Sequence, residues 1–141
     1  MRQSIEKTPE KVEYLSFDDV LDLFGAIQDC SRDQARLQLR DAEGLDSALH
    51  RPRNYAGYGE ADLAILAAML AHAIAEGRIF LDGNKRLALA AMIAFLRINE
   101  KDIRGVAEQD LADWIWQLSD DLSAGALAAL IRPHLVVRPL P

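Results

Sequence analysis

Two apolar segments limit the possible folds of this chain more than any other feature. Leu63–Ala75 and Leu87–Leu96 consist almost entirely of Ala, Leu, Ile and Met. Ala and Leu favour helix because neither residue loses much side-chain freedom there. A helix that is apolar on every side belongs in the interior of a bundle. The sequence therefore predicts two buried central helices, over 60–75 and 84–98.

Shorter helices are predicted around this pair. Ser16-Phe17-Asp18-Asp19 fits the capping-box start of a helix that runs to about Gln28. The only strand candidate is a short one near Ile103 or in the tail. We expect an all-α fold, a compact bundle of about six helices in which a charged loop joins the two central helices. The remaining helical segments are predicted over 31–39, 45–50, 106–118 and 123–132.

Length and composition predict a single domain in the cytoplasm. We expect a loose arm over 1–13, one domain over 14–135 and a tail over 136–141 of the 141 residues. The single cysteine, Cys30, excludes an internal disulfide and suits a reducing compartment. Both apolar segments are shorter than the ~20 residues that cross a bilayer. The 22 acidic residues outnumber 16 basic ones, which argues against a general nucleic-acid binder.

The loop between the central helices, residues 78–86, concentrates charge at the start of a helix. It contains Asp82, an amide at Asn84 and three cations, at Arg78, Lys85 and Arg86. The first turn of a helix has free N–H groups and partial positive charge, so a cation is unfavourable there unless an anion compensates. These residues indicate a phosphate site. The alternative is that Asp82 only caps the helix and the cations are solvated.

The residues of this loop resemble a known catalytic signature. Phe80-x-Asp82-Gly83-Asn84-Lys85-Arg86 is similar to the Fic/Doc superfamily motif, His-x-Phe-x-Asp/Glu/Asn-Gly/Ala-Asn followed by Gly or Lys and then Arg. Lys85 in place of glycine resembles the Doc branch, the death-on-curing toxins of toxin–antitoxin pairs. The resemblance covers roughly residues 14–135. Similar segments outside the motif are 41–49, Arg51-Pro52, 58–63, 87–89 and 95–97.

The resemblance implies a function and partners. Doc proteins are implied to be cytoplasmic protein kinases that transfer phosphate from ATP to elongation factor Tu, a translation factor, with Mg²⁺. A cognate antitoxin is implied to supply a flexible segment that folds on binding. Neither nucleic acid nor a membrane is expected as a partner. The alternatives are a Fic-like enzyme that transfers AMP to protein hydroxyls, and a non-catalytic relative that binds antitoxin or nucleotide.

The resemblance also implies residue roles. Asp82 would bind Mg²⁺, and Arg86 would stabilise charge on the transferring phosphoryl group. Phe80 would anchor the loop to the core. The nucleotide would be bound by Gly83, Asn84, Lys85 and Arg86, and the predicted loop over 51–59, with Arg51 and Arg53, would form a flap that docks the target.

Arg78 departs from the signature, because it stands at the position of the catalytic histidine. A guanidinium is always protonated and has no lone pair to accept a proton, so it cannot act as the general base. Arg78 could instead bind phosphate, or pair with Asp82 and obstruct the metal. We interpret the change as a neutralising substitution, because the rest of the motif is intact; the alternative is a natural binding-only protein.

No other histidine is a convincing replacement for the missing base. His72 lies on an apolar central helix and is interpreted as a core residue, and His50 as structural or surface-exposed. Trp114 and Trp116 lie on opposite faces of one helix. We expect Trp114 in the core and Trp116 at an exposed partner surface.

Overall fold

The computed structural model describes residues 12–56, 62–118 and 122–138. Within these ranges the chain forms 7 α-helices and a two-stranded sheet, so the predicted all-α bundle is confirmed. The helices are α1 (Phe17–Gln28), α2 (Arg32–Leu37), α3 (Ala42–Ala56), α4 (Leu63–Glu76), α5 (Asn84–Ile98), α6 (Glu108–Gln117) and α7 (Ala124–Ile131), and the strands are β1 (Lys101–Ile103) and β2 (Leu135–Val137).

The two predicted central helices, α4 and α5, form the middle of the bundle. They pack most extensively against each other, and α4 also packs against α3 and α7. Helix α5 has the predicted bounds. Helix α4 begins at Leu63, because the Asp62 side chain caps it by accepting a hydrogen bond from the Ala64 N–H at 2.9 Å. The predicted start at Glu60 lies outside the described residues.

Helix α1 packs against α2, α3 and the central helix α5, and it begins where its sequence predicts. The Ser16 hydroxyl accepts a bond from the Asp19 N–H at 3.0 Å, and the Asp19 carboxylate accepts one from the Ser16 N–H at 2.9 Å. This reciprocal pair satisfies two backbone donors that the helix itself leaves free. The buried face of α1 contains Val20, Leu21 and Phe24. Phe24 thereby reaches the loop between α4 and α5.

The prediction for residues 45–59 was wrong in one respect. The helix does not stop near Arg51-Pro52; α3 begins at Ala42 and continues through Pro52 to Ala56. Pro52 lacks an N–H and cannot complete the helical hydrogen-bond pattern, but its ring is buried in the core, and this packing favours the continuous helix. Arg51 and Arg53 therefore lie on a helix, while the rest of the predicted loop, from Gly57 on, is outside the described residues.

The strand candidates pair with each other at the end of the bundle. Strand β1 pairs antiparallel with β2, with Ile103 opposite Leu135 and Lys101 opposite Val137. Part of the predicted tail, Val136 and Val137, thus belongs to this two-stranded sheet, whose strands are separated in the chain by α6 and α7. In the described residues, every helix is too short or too polar to cross a membrane.

Candidate active site

The loop between α4 and α5 is fixed to the core by Phe80. Its side chain is 1% exposed, and its ring stacks on that of Phe24 with centroids 3.8 Å apart and planes 8° from parallel. Phe80 also forms an isolated antiparallel bridge with Leu39. The Arg40 N–H donates to the Ile79 carbonyl at 2.7 Å as part of this pairing. These contacts fix the backbone path of the loop.

Asn84 closes the loop from inside. Its Oδ1 accepts a hydrogen bond from the Phe80 N–H at 3.0 Å, and its Nδ2 donates to the Phe80 carbonyl at 3.1 Å. The side-chain amide is therefore occupied with the backbone of the loop. The backbone N–H of Asn84 lies in the first turn of α5 and has no partner within the helix, so it can donate a hydrogen bond to an anion.

Gly83 begins α5 in a conformation suited to glycine. Its φ of 83° and ψ of 9° lie in the left-handed region, and a Cβ there would come within 2.9 Å of Gln28 Nε2. Gly83 is the N-cap and provides no side-chain cap. Asp82 is therefore not the N-cap of this helix, and that part of the alternative is wrong; the part that leaves the cations solvated stays open. The first turn of α5, whose N–H groups have no acceptor within the helix, lines the cleft beside it.

A cleft of about 590 Å³ lies in front of these N–H groups. Four charged residues of the loop line it, namely Arg78, Asp82, Lys85 and Arg86, together with Glu76 at the end of α4. Helix α6 forms the opposite wall with Ala112, Ile115 and Trp116. The volume is within the usual range for a small-molecule site.

The cations of the cleft are not neutralised by neighbouring carboxylates. Within residues 12–56, 62–118 and 122–138, no ion pair involves Arg78, Lys85 or Arg86. Lys85 Nζ instead lies 5.3 Å from the centroid of the Trp116 ring, a cation–π contact of modest strength. Three cations beside an open helix N-terminus make the cleft suited to an anion.

Arg78 lies at the exposed edge of this cleft, after Gly77. The described residues contain no ion pair between Arg78 and Asp82. The structure therefore gives no support to the idea that Arg78 blocks the metal by pairing with Asp82. Its guanidinium adds positive charge to the cleft.

The two arginines expected in the target flap lie in different surroundings. Arg51 lines a separate hollow of about 240 Å³ together with Ser47 and Glu76. Arg53 lies with its guanidinium 4.7 Å above the Tyr14 ring. Burial raises the pKa of Tyr14, and the charge of Arg53 opposes that shift. Only Arg51 is close to the residues of the cleft.

Sequence reasoning did not assign Glu76 or Trp116 to the cleft. Trp116 is 65% exposed, as its position on the helix indicates, but the sequence could not tell which surface it faces. Glu76 does carry a signal, because a carboxylate at a helix C-terminus opposes the helix dipole. His72, interpreted as a core residue, is only partly buried, with Nδ1 3.4 Å from Glu76 Oε1.

Asp82 fits the part of a magnesium ligand. Its exposed carboxylate lines the cleft and forms no ion pair in the described part of the chain. Magnesium is commonly bound by one or two carboxylates together with phosphate oxygens and water, not by a cage of protein ligands. The described residues contain no group of three or more His, Cys, Asp or Glu that could bind a metal by themselves. A metal at Asp82 would need the ligand's own oxygens.

The fold and cleft define a class: a helical bundle whose two central helices are joined by a loop that carries the motif and lines the cleft. The family model described as Fic/DOC family matches residues 14–96, which is more than half of the chain. The protein therefore belongs to the Fic/DOC family. The comparison with curated proteins found no match. Members of the family generally transfer nucleotide-derived groups to proteins.

Proposed function

We propose that this protein is a Doc-type toxin of a toxin–antitoxin pair. It uses ATP to phosphorylate a hydroxyl of a translation factor, elongation factor Tu, in the cytoplasm, and Arg78 keeps its rate low. The observation that carries the proposal is the cleft at the start of α5, where Lys85 and Arg86 stand beside open N–H groups without a carboxylate partner in the described residues. Membership of the Fic/DOC family supports the nucleotide as the anion.

Each residue of the cleft has a separate role in phosphoryl transfer. The N–H groups of the first turn of α5 and the ammonium of Lys85 bind the phosphates of the nucleotide. Arg86 stabilises the charge that spreads over the transferring group. Asp82 holds Mg²⁺, which neutralises phosphate charge when it is bound. Phe80 and the Asn84 amide position the loop that presents these groups.

Arg78 explains why the rate is low. It occupies the place where the family signature has its general base, and a guanidinium cannot accept a proton. A general base contributes roughly 10²–10⁴ in rate. The positive charge of Arg78 still favours nucleotide binding. This chain therefore binds nucleotide but transfers phosphate slowly.

The test is transfer from labelled ATP by the Arg78→His variant. We expect label from the γ-phosphate to reach elongation factor Tu, at a rate about 10²-fold above that of the unchanged chain. Expression of the variant should also arrest growth, and co-expression of the antitoxin should restore it. Transfer of label from the α-phosphate would identify an AMP transferase. Absence of any transfer would contradict both enzymatic functions.

A second candidate function is favoured by Arg78 itself. Because the chain retains the anion-binding groups but lacks the histidine, it could act as a non-catalytic protein that binds antitoxin or nucleotide. This function predicts tight nucleotide or antitoxin binding and no transfer by the Arg78→His variant. The same experiment therefore separates the two.

A further inference from the structure

Glu76 places a second carboxylate in the cleft. It is the last residue of α4, two positions before Arg78, and its side chain is 49% exposed. Among the described residues that line the cleft, Glu76 and Asp82 are the only ones with carboxylates. Asp82 is committed to the metal in the proposed function. Glu76 is then the other carboxylate among these residues, and its oxygens have lone pairs that can accept a proton.

The position of Glu76 is unfavourable for the helix that carries it. A negative charge at a helix C-terminus opposes the dipole, and the last turn of α4 contains no basic residue. The opposite case occurs at the start of α5, where the positive charges of Lys85 and Arg86 lie at the positive end of the helix dipole. Two helix ends with disfavoured charges thus meet at one cleft. A ligand that interacts with both would account for this arrangement.

Glu76 also lies between two hollows. It lines the large cleft beside α5 and, on its other side, the hollow of about 240 Å³ that contains Arg51 and Ser47. An acceptor segment in the second hollow, with phosphates in the first, would contact Glu76. A general base must lie at such a boundary, within reach of the attacking hydroxyl.

His72 supports the carboxylate from one turn earlier on α4. Its Nδ1 lies 3.4 Å from Glu76 Oε1, and its ring is largely covered, with the side chain 21% exposed. The contact limits the directions that the Glu76 side chain can take. His72 does not line the cleft, so it acts through Glu76 and is a positioning residue.

We infer that Glu76 is the general base of this chain, in the role that Arg78 cannot fill; the inference rests on the proposed phosphoryl transfer. The acceptor hydroxyl gives its proton to the Glu76 carboxylate while the hydroxyl oxygen forms a bond to the γ-phosphorus of ATP. The bond from that phosphorus to the bridging oxygen breaks, its electron pair stays on the β-phosphate, and ADP leaves. Protein kinases use a carboxylate in the same way.

The test compares four proteins: the unchanged chain, Glu76→Gln, Arg78→His and the double variant. Each is assayed for transfer from γ-labelled ATP with Mg²⁺ to elongation factor Tu, with α-labelled ATP in parallel. We expect Glu76→Gln to lower the low transfer rate of the unchanged chain by about 10-fold or more, a part of what a general base contributes. In the Arg78→His background the same change should have little effect, because the histidine then accepts the proton.

Glu108→Gln is the matched control, since Glu108 is exposed on α6 and is not among the described residues of the cleft. It should leave all rates unchanged. Equal melting temperatures of Glu76→Gln and the unchanged chain would show that the fold is intact. His72→Asn should keep the rate, because its amide can still reach Glu76, while His72→Phe should lower kcat and leave KM for ATP unchanged.

The outcomes separate this inference from the proposed function. Suppose that Arg78→His transfers phosphate. If Glu76→Gln is then no slower than the unchanged chain, or if the unchanged chain shows no transfer at all, Glu76 is not the general base. The proposed function stands in both cases. An equal loss in both backgrounds would also overturn the inference, because it would indicate a general electrostatic effect. If no variant transfers label from ATP, the proposed function fails and the inference fails with it.

Discussion

Two parts of one short loop differ sharply in their surroundings. The anchor, which comprises Ile79, Phe80 and the side chain of Asn84, is packed or hydrogen-bonded into the protein. The charged rim, which comprises Arg78, Asp82, Lys85 and Arg86, lines the cleft without ion pairs in the described residues. The contacts of the anchor fix the backbone path of the loop, and this path places the three cations and the one carboxylate of the rim at the same cleft. Anchoring residues and charged residues are thus interspersed within nine positions of the chain.

The comparison predicts that a change in the anchor affects folding most. Phe80→Ala removes a buried ring that stacks on Phe24, and we expect the free energy of unfolding to fall by about 3–5 kcal/mol. Chemical denaturation measures this directly. Leu81→Ala is the matched control, because Leu81 is the next residue but is 64% exposed; it should change stability by less than about 0.5 kcal/mol. Similar losses in both variants would contradict the assignment of Phe80 as the anchor.

A smaller effect is expected at the other anchoring residue. Asn84→Ala removes both hydrogen bonds to the Phe80 backbone, and we expect a loss of about 1–3 kcal/mol of stability. Nucleotide binding should weaken as well, because the loop that presents the N–H groups loses its internal support. If stability were unchanged and only binding fell, the amide would act on the ligand and not on the loop. Denaturation and calorimetry on one sample distinguish these results.

The smallest effect is expected from an exposed ion pair outside the loop, between Asp22 of α1 and Arg32 of α2, which gives a reference value for exposed charges in this fold. The hydrogen bond from Arg32 lowers the pKa of Asp22. A lowered folded-state pKa contributes stability that is present above the unfolded pKa of Asp and lost as pH falls through the folded value. Asp22→Asn should therefore be slightly less stable than the unchanged chain at neutral pH, and equally stable in acid below that value.

Urea titrations at several pH values measure this difference. The double variant Asp22→Asn with Arg32→Gln should lose less than the sum of the single changes, because the two residues share one contact. A large, pH-independent loss would show that exposed charges matter more to this fold than the comparison assumes. The charged residues of the rim would then be expected to stabilise the fold as well.

The sequence predicted the bundle well because its strongest signals are local. The all-apolar composition of α4 and α5 and the capping box at Ser16 are read directly from neighbouring residues. The path through Pro52 was missed because burial of the ring outweighs the local preference of proline. The tertiary pairing of residues 38–41 with the loop carries no local pattern either.

The site was predicted only as far as its motif extends. Family resemblance and helix-end charge indicated Asp82, Gly83, Lys85 and Arg86, and the structure brings all four to one cleft. Trp116 and Glu76 were not assigned because they come from other helices, and a sequence does not show which distant surfaces meet. The role of Arg53 in a target flap stays a prediction, and its guanidinium lies over the Tyr14 ring.

The central claim is that the rim binds the phosphates of a nucleotide at the start of α5. Isothermal titration of the unchanged chain with the nonhydrolysable analogue AMP-PNP and Mg²⁺ tests it most directly. We predict saturable binding that weakens by about 10-fold or more in Arg86→Met, since a charge-assisted contact to phosphate contributes roughly 1.5–3 kcal/mol. No binding to the unchanged chain, or equal binding by both proteins, would contradict the account.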